Sequence, residues 1–252
     1  MADYKIEGTE LEKVLTEMNV PVDEKAVVVL SGGQDSTTCL YWAMKKFKGV
    51  IAVTFNYGQR NSEEVEIAQT ICEEEGIPNM VIQIQDMHKI SSSALLNFFG
   101  DLNVETRVGL PSYFISNRNQ LFLTYAHSFA QVMGATHIVF GAWDYVRGLH
   151  PDCSRKFIDS VEASLNIGSH TEIKIHTPVI YLKKAEMFVL VDMLGRLDTV
   201  LNNTLTCHEG VVHLNDWGMG CGECDVCLIR KSGYEEYLSM KTKSENGKES
   251  KI

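Results

Sequence analysis

In "TELEKVLTEM", Leu11, Val14, Leu15 and Met18 recur at helical spacing, which predicts a short amphipathic helix near the start of the chain. The next apolar stretch follows another rule. "AVVVLS" (26–31) is a continuous β-branched run that ends at two glycines, as a strand buried on both faces does. A helix is expected from Ser36 onward, and the alternation then continues. "GVIAVTF" reads as a strand, "SEEVEIAQTICEEEG" as a helix with a glycine stop, and "NMVIQIQ" as a strand. Further on, "RNQLFLTYAHSFAQVMG" predicts a helix, "THIVFG" a strand, and "RKFIDSVEASLN" and "KAEMFVLVDMLG" helices. Strands alternating with helices imply right-handed crossovers and an α/β fold with a doubly wound parallel sheet of Rossmann type. On such a sheet, ligands sit at the carboxyl ends of the strands. Residues 91–116 have no clean period and read as a long functional loop or an insertion, and the charged tail 241–252 reads as disordered.

Composition narrows the functional classes. The 252 residues are 44% hydrophobic and 22% charged, ordinary values for a globular protein, and the formal net charge is −10. That field repels phosphodiester backbones and anionic membranes, so a nucleic-acid polymer is not the expected ligand. The polar start of the chain and the lack of a long apolar run give the expectation of a cytosolic protein.

The turn after the first predicted strand, "SGGQDST", carries the first candidate chemistry. A strand turning through Gly32 and Gly33 into a helix aims backbone N–H groups and a positive helix end at one point, an arrangement that binds phosphate. Ser31 and Ser36 add hydroxyls, and Asp35 is placed to hold magnesium bridging phosphate oxygens. No lysine follows the glycines, so this is not the loop that grips a terminal phosphate.

Seven cysteines are present, and four fall in "CHEGVVHLNDWGMGCGECDVC": Cys207, Cys221, Cys224 and Cys227. Two tight C-x-x-C spacings with a fourth thiol upstream suit one closed, tetrahedral, structural zinc. A redox pair or an iron–sulfur cluster is chemically open, and His208 or His213 is able to replace a thiolate.

"SGGQDS" resembles the pyrophosphate loop of the N-type ATP pyrophosphatases, an adenine nucleotide alpha hydrolase-like superfamily that cleaves ATP between its α and β phosphates. The ordered motifs "SGGQDSTTCLYWA", "FNYGQR", "NRNQLFL", "PDC", "KKAE" and "CGECDVCLIRKSGY" resemble, from Ala26 to Tyr237, the 7-cyano-7-deazaguanine synthases within it. The resemblance implies an ATP-dependent ligase in which 7-carboxy-7-deazaguanine is adenylated, ammonia converts the acyl-adenylate to an amide, and a second adenylation dehydrates the amide to a nitrile. It also implies a homodimer, with ATP, magnesium and zinc as cofactors. It assigns Asp35, Arg118 and Lys184 to catalysis. Ser31, Gly32, Gly33, Gln34, Ser36 and Thr37 would form the diphosphate loop. Phe55, Tyr57, Gly58, Gln59 and Arg60 would wall the nucleotide and substrate pocket, with Asn119, Gly141, Asp144, Asp152 and Cys153 around them. Lys184, with Glu186 in the same motif, would face phosphate.

The match departs from the family pattern on the acceptor side. Trp143, Arg147 and His150 stand in "GAWDYVRGLHPDC", and Tyr181 takes a position usually held by aspartate. These departures leave two other readings open: a relative that stops at the amide or joins the carboxylate to an amine on a protein, and a nucleotide-binding subunit without chemistry. The expected organisation is an N-terminal helical extension (1–22), the nucleotide domain (23–200), a zinc-binding segment with a C-terminal helix (201–240) and the tail (241–252).

Overall fold

A computed structural model describes residues 4, 6–97, 99–102, 104–106, 109–145 and 150–249. Helix α1 (Glu10–Met18) precedes β1 (Val22–Val29), α2 (Gln34–Lys46), β2 (Phe47–Asn56), α3 (Glu63–Glu75) and β3 (Asn79–Gln83). After the short α4 (Met87–Ile90) come α5 (Arg118–Met133), β4 (His137–Phe140), α6 (Arg155–Ser169) and β5 (Lys174–His176). The chain ends with α7 (Lys184–Met193), α8 (Leu197–Asn203), the hairpin β6 (Leu214–Asn215) and β7 (Gly218–Met219), and α9 (Asp225–Glu249).

Five strands form one parallel sheet in the order β3-β2-β1-β4-β5. The β-branched run places β1 at the centre, where alternate residues enter opposite cores. Ala26, Val28 and Leu30 face α2, α3 and α7, whereas Val27 and Val29 face α5 and α6. The first helix belongs to the body: Trp42 Nε1 donates to Val14 O at 3.3 Å, and Lys46 Nζ donates to Glu17 O at 2.8 Å. Tyr4 and Tyr237 both donate their hydroxyls to Asp192 Oδ2, so residues near both ends of the chain meet on α7.

Strand order reverses at β1, with β2 on one side and β4 on the other. The loops leaving β1 and β4 therefore part and open a crevice at the carboxyl edge. Around 91–116 the described residues form one 3-10 turn (Ala94–Leu96) and an isolated bridge between Glu105 and Pro111. The charged composition of the tail 241–252 predicts disorder; α9 instead extends into it as far as Glu249, and residues 250–252 lie outside the described residues. Among the described residues, no helix is long and apolar enough to cross a membrane.

Candidate functional site

A cavity of about 230 Å³ lies where the strand order reverses. Its floor is the turn from β1 into α2. Gly32 sits at φ +85°, and a Cβ there would run into the Glu64 carbonyl oxygen, so both backbone sign and space require glycine. Gly33 stands at the N-cap of α2 and, as a glycine, brings no side-chain cap; its own amide donates to Ser31 Oγ at 3.4 Å, within the turn. Ser36 Oγ accepts from Ser31 N at 3.1 Å and lies 3.0 Å from Ser31 Oγ, setting two hydroxyls side by side at the turn. Gly141 approaches so closely that a Cβ would sit 3.0 Å from Ser36 N, which brings the end of β4 onto the same helix start.

Asp35, in the first turn of α2, accepts from Lys184 Nζ at 2.5 Å. Lys184 is 8% exposed and stands 4.4 Å above the Trp143 ring. Trp143 is itself fixed by a hydrogen bond from Nε1 to Leu182 O at 2.8 Å. Trp143 is thus a platform for the lysine.

On the opposite wall, Asn117 adopts φ +59° as the N-cap of α5 and turns Arg118 inward. The guanidinium lies over the rings of Tyr57 and Phe122, at 5.9 and 5.7 Å. Its hydrogen bonds go to neutral partners, Asn119 Oδ1 at 3.3 Å and Tyr57 Oη at 3.4 Å, so its charge remains available to an anion. Phe55 and Phe122 stack at 4.5 Å beneath it. Asn119 Nδ2 reaches Asp152 O and Cys153 Sγ, both at 3.4 Å. Burial pushes the Cys153 thiol up to about 12 and raises the Asp152 carboxyl.

Of the residues singled out from the sequence, Ser31, Gly33, Gln34, Asp35, Ser36, Phe55, Tyr57, Gln59, Arg118, Asn119, Gly141 and Cys153 line the cavity. Gly32 shapes the turn from behind, and Lys184 reaches it through Asp35. Thr37 is fully buried in α2. Arg60 is held away by Glu209 Oε2 at 2.5 Å and Gly100 O at 3.1 Å. Asp144 is buried, with its amide on Ile180 O, and does not line the cavity. Glu186 closes the first turn of α7 by accepting from Lys183 N at 2.8 Å. Tyr181 is partly exposed, and Arg147 lies outside the described residues.

The sequence reading missed Asn61, Glu64, Thr206 and Arg230, and it considered His208 only as a metal ligand. Thr206 and His208 flank Cys207 and line the cavity, so the cysteine segment forms one wall. Thr206 Oγ1 accepts from Gln34 N at 3.2 Å and from Arg230 Nη1 at 3.3 Å. Arg230 is fully buried and also donates to the carbonyls of Val200, Thr204 and Trp217 and to Thr204 Oγ1. Burial lowers its pKa to about 10. Three side chains lining the cavity have polar atoms without hydrogen-bond partners, Gln34 (both), Asn61 (Oδ1) and His208 (Nδ1), as does Thr37 Oγ1 behind the turn. Buried polar atoms are normally paired, so those facing the cavity mark surface that a polar ligand completes.

The ligand atoms of Cys207, Cys221, Cys224 and Cys227 lie within 4.8 Å of one another, without a histidine among them. The Cys221–Cys227 sulfur separation is 3.8 Å, which is about the edge of a tetrahedron with 2.3 Å metal–sulfur bonds. Backbone amides of Glu223 and Cys224 both donate to Cys221 Sγ at 3.3 Å, which fixes the sulfur in position. The donor set fits one divalent metal ion.

A phosphate-shaped turn at the switch point of an open parallel sheet, flanked by a buried lysine and an inward arginine, defines a nucleotide-binding α/β protein. The family model described as "Queuosine biosynthesis protein QueC" matches residues 25–238, and the chain belongs to that family. It is 44% identical over 219 residues to the 7-cyano-7-deazaguanine synthase of Bacillus subtilis, a match that spans 86% of this chain and 97% of that one. Against the 7-cyano-7-deazaguanine synthase of Wolinella succinogenes the identity is 43% over 216 residues, spanning 84% and 93%.

Proposed function

We propose that the chain converts 7-carboxy-7-deazaguanine and ammonia to 7-cyano-7-deazaguanine, with cleavage of ATP to AMP and pyrophosphate. The supporting observation is the turn Ser31–Ser36, which lines a cavity together with Arg118, and whose Asp35 is paired with the buried Lys184. The β- and γ-phosphates occupy this turn. A carboxylate oxygen of the substrate attacks the α-phosphorus, and pyrophosphate departs with the bonding electrons. Ammonia then displaces AMP from the acyl carbon to give the amide. Adenylation of the amide oxygen and a second loss of AMP leave the nitrile.

The residues act by position and charge, since the chemistry needs no covalent protein nucleophile. Arg118 steadies anionic oxygens from the β2 and α5 side, and Lys184 does so from the α7 side. Burial under Trp143 keeps the lysine's charge poorly hydrated and therefore strongly felt. The single carboxylate of Asp35 fits magnesium, which takes most of its ligands from phosphate and water. Bound there, the ion would neutralise charge on the departing diphosphate. Cys207, Cys221, Cys224 and Cys227 would hold zinc, which fastens the wall carrying Thr206 and His208.

Mass spectrometry of a reaction containing ATP, magnesium, ammonium and 7-carboxy-7-deazaguanine tests the proposal. The expected products are the nitrile, AMP and pyrophosphate. Accumulation of the amide alone, or no AMP, refutes it.

A further inference from the structure

Asn61 and Glu64 line the cavity but take no part in the diphosphate turn. Asn61 is 5% exposed and its Oδ1 has no hydrogen-bond partner, while its side chain favours the ionised form of the neighbouring Glu64 carboxyl. Glu64 N donates to Asn61 O at 3.2 Å, so the start of α3 fixes the two residues as a unit. Their polar neighbours are already engaged. Gln59 Oε1 accepts from Tyr57 N at 2.9 Å, and the Tyr57 hydroxyl accepts from Arg118. The capacity left over is an amide oxygen beside a carboxylate, both acceptors. A ligand that fits must carry several N–H donors and favour negative charge.

We propose that Asn61 Oδ1 and the Glu64 carboxylate form the ammonium-binding subsite, and that Glu64 removes the proton that makes ammonia a nucleophile. The inference rests on the proposed nitrile synthesis. Ammonium donates N–H groups to both oxygens and passes one proton to Glu64. The nitrogen lone pair forms the C–N bond to the acyl carbon, and the C–O bond to AMP breaks with its electrons going to the phosphate oxygen. The adduct nitrogen loses its extra proton to solvent at the cavity mouth, and the proton on Glu64 leaves the same way. The charged and titratable groups around Glu64 are Arg118 from α5, Tyr57 after β2, Cys207 from the cysteine wall and Glu63 on its own helix. Burial outweighs them and lifts the Glu64 carboxyl to about 8; a bound ammonium ion favours its ionised form, and a proton affinity this close to the operating pH suits a proton acceptor.

The test separates this step from adenylation. Exchange of labelled pyrophosphate into ATP, dependent on 7-carboxy-7-deazaguanine and run without ammonium, reports adenylation by the wild type; its absence overturns nitrile synthesis and the subsite with it. With exchange present, Glu64→Gln is expected to lower ammonium-dependent turnover roughly 100-fold. Its reaction with hydroxylamine, an amine already neutral at this pH, should stay near the wild-type rate, read as hydroxamate. Asn61→Leu is expected to raise the KM for ammonium about tenfold while the KM for ATP holds. Unchanged ammonium kinetics in both variants, or equal losses with hydroxylamine and ammonium, would overturn the subsite.

Discussion

Asp35 balances the charge at the diphosphate turn, and its removal has two separable effects. Asp35→Ala deletes the proposed magnesium ligand and should lower AMP formation by about 10³-fold in a coupled assay. It also leaves Lys184, 8% exposed, without its carboxylate. Breaking such a pair is expected to cost on the order of 3 kcal/mol, readable as a lower denaturant midpoint. Glu64 shows the opposite sign. Its carboxyl moves from an ordinary 4.5 to about 8 because burial disfavours the charge. The folded state then holds the proton more tightly than the unfolded state. The group costs no stability below about pH 4.5, and its cost grows as pH rises towards 8. Glu64→Gln should therefore be more stable than wild type at pH 9 and should lose most of that advantage by pH 5 in parallel denaturant titrations.

At the scale of elements, the cysteine segment and α9 complete the nucleotide site. Arg230 reaches from α9 to the carbonyls that end α8 and to Thr206, which in turn accepts from the amide of Gln34. Arg230→Leu leaves several buried carbonyls without donors and is expected to cost on the order of 3 kcal/mol, measured by chemical denaturation. Cys224→Ser should lose bound zinc, measured by metal analysis, and unfold at lower temperature in the same preparation, because structural metal binding is folding free energy. Much of this layer is invisible to pattern reading. Strand β5 has three residues, α8 has seven, and β6 and β7 have two each, too short for periodicity to register. Long, strongly patterned segments were legible: α1, α3, α5 and α7 fall where apolar spacing and glycine stops place them.

Across the molecule, legibility depended on how far apart in the chain the cooperating residues lie. The diphosphate turn is a local string, so "SGGQDS" displayed both its shape and its chemistry. The Asp35–Lys184 pair spans 149 positions and the Thr206–Gln34 bond 172, separations that no local pattern encodes. Asn61 and Glu64 escaped notice for a related reason. On a helix as acidic as α3, one glutamate looks like any other until the sheet edge shows which of them faces the cavity. Arg60 was legible as part of "YGQR", yet Glu209 draws it out of the site. The two walls that close on the turn come from residues 118 and 206, and the first crossover is where they meet.

The most direct measurement of this account is a crystal structure with magnesium and a non-hydrolysable ATP analogue bound. It should place the β- and γ-phosphates against the Gly33 amide and the Ser31 and Ser36 hydroxyls, with Asp35 on the metal. A diphosphate lying elsewhere, with that turn bare, would contradict the account.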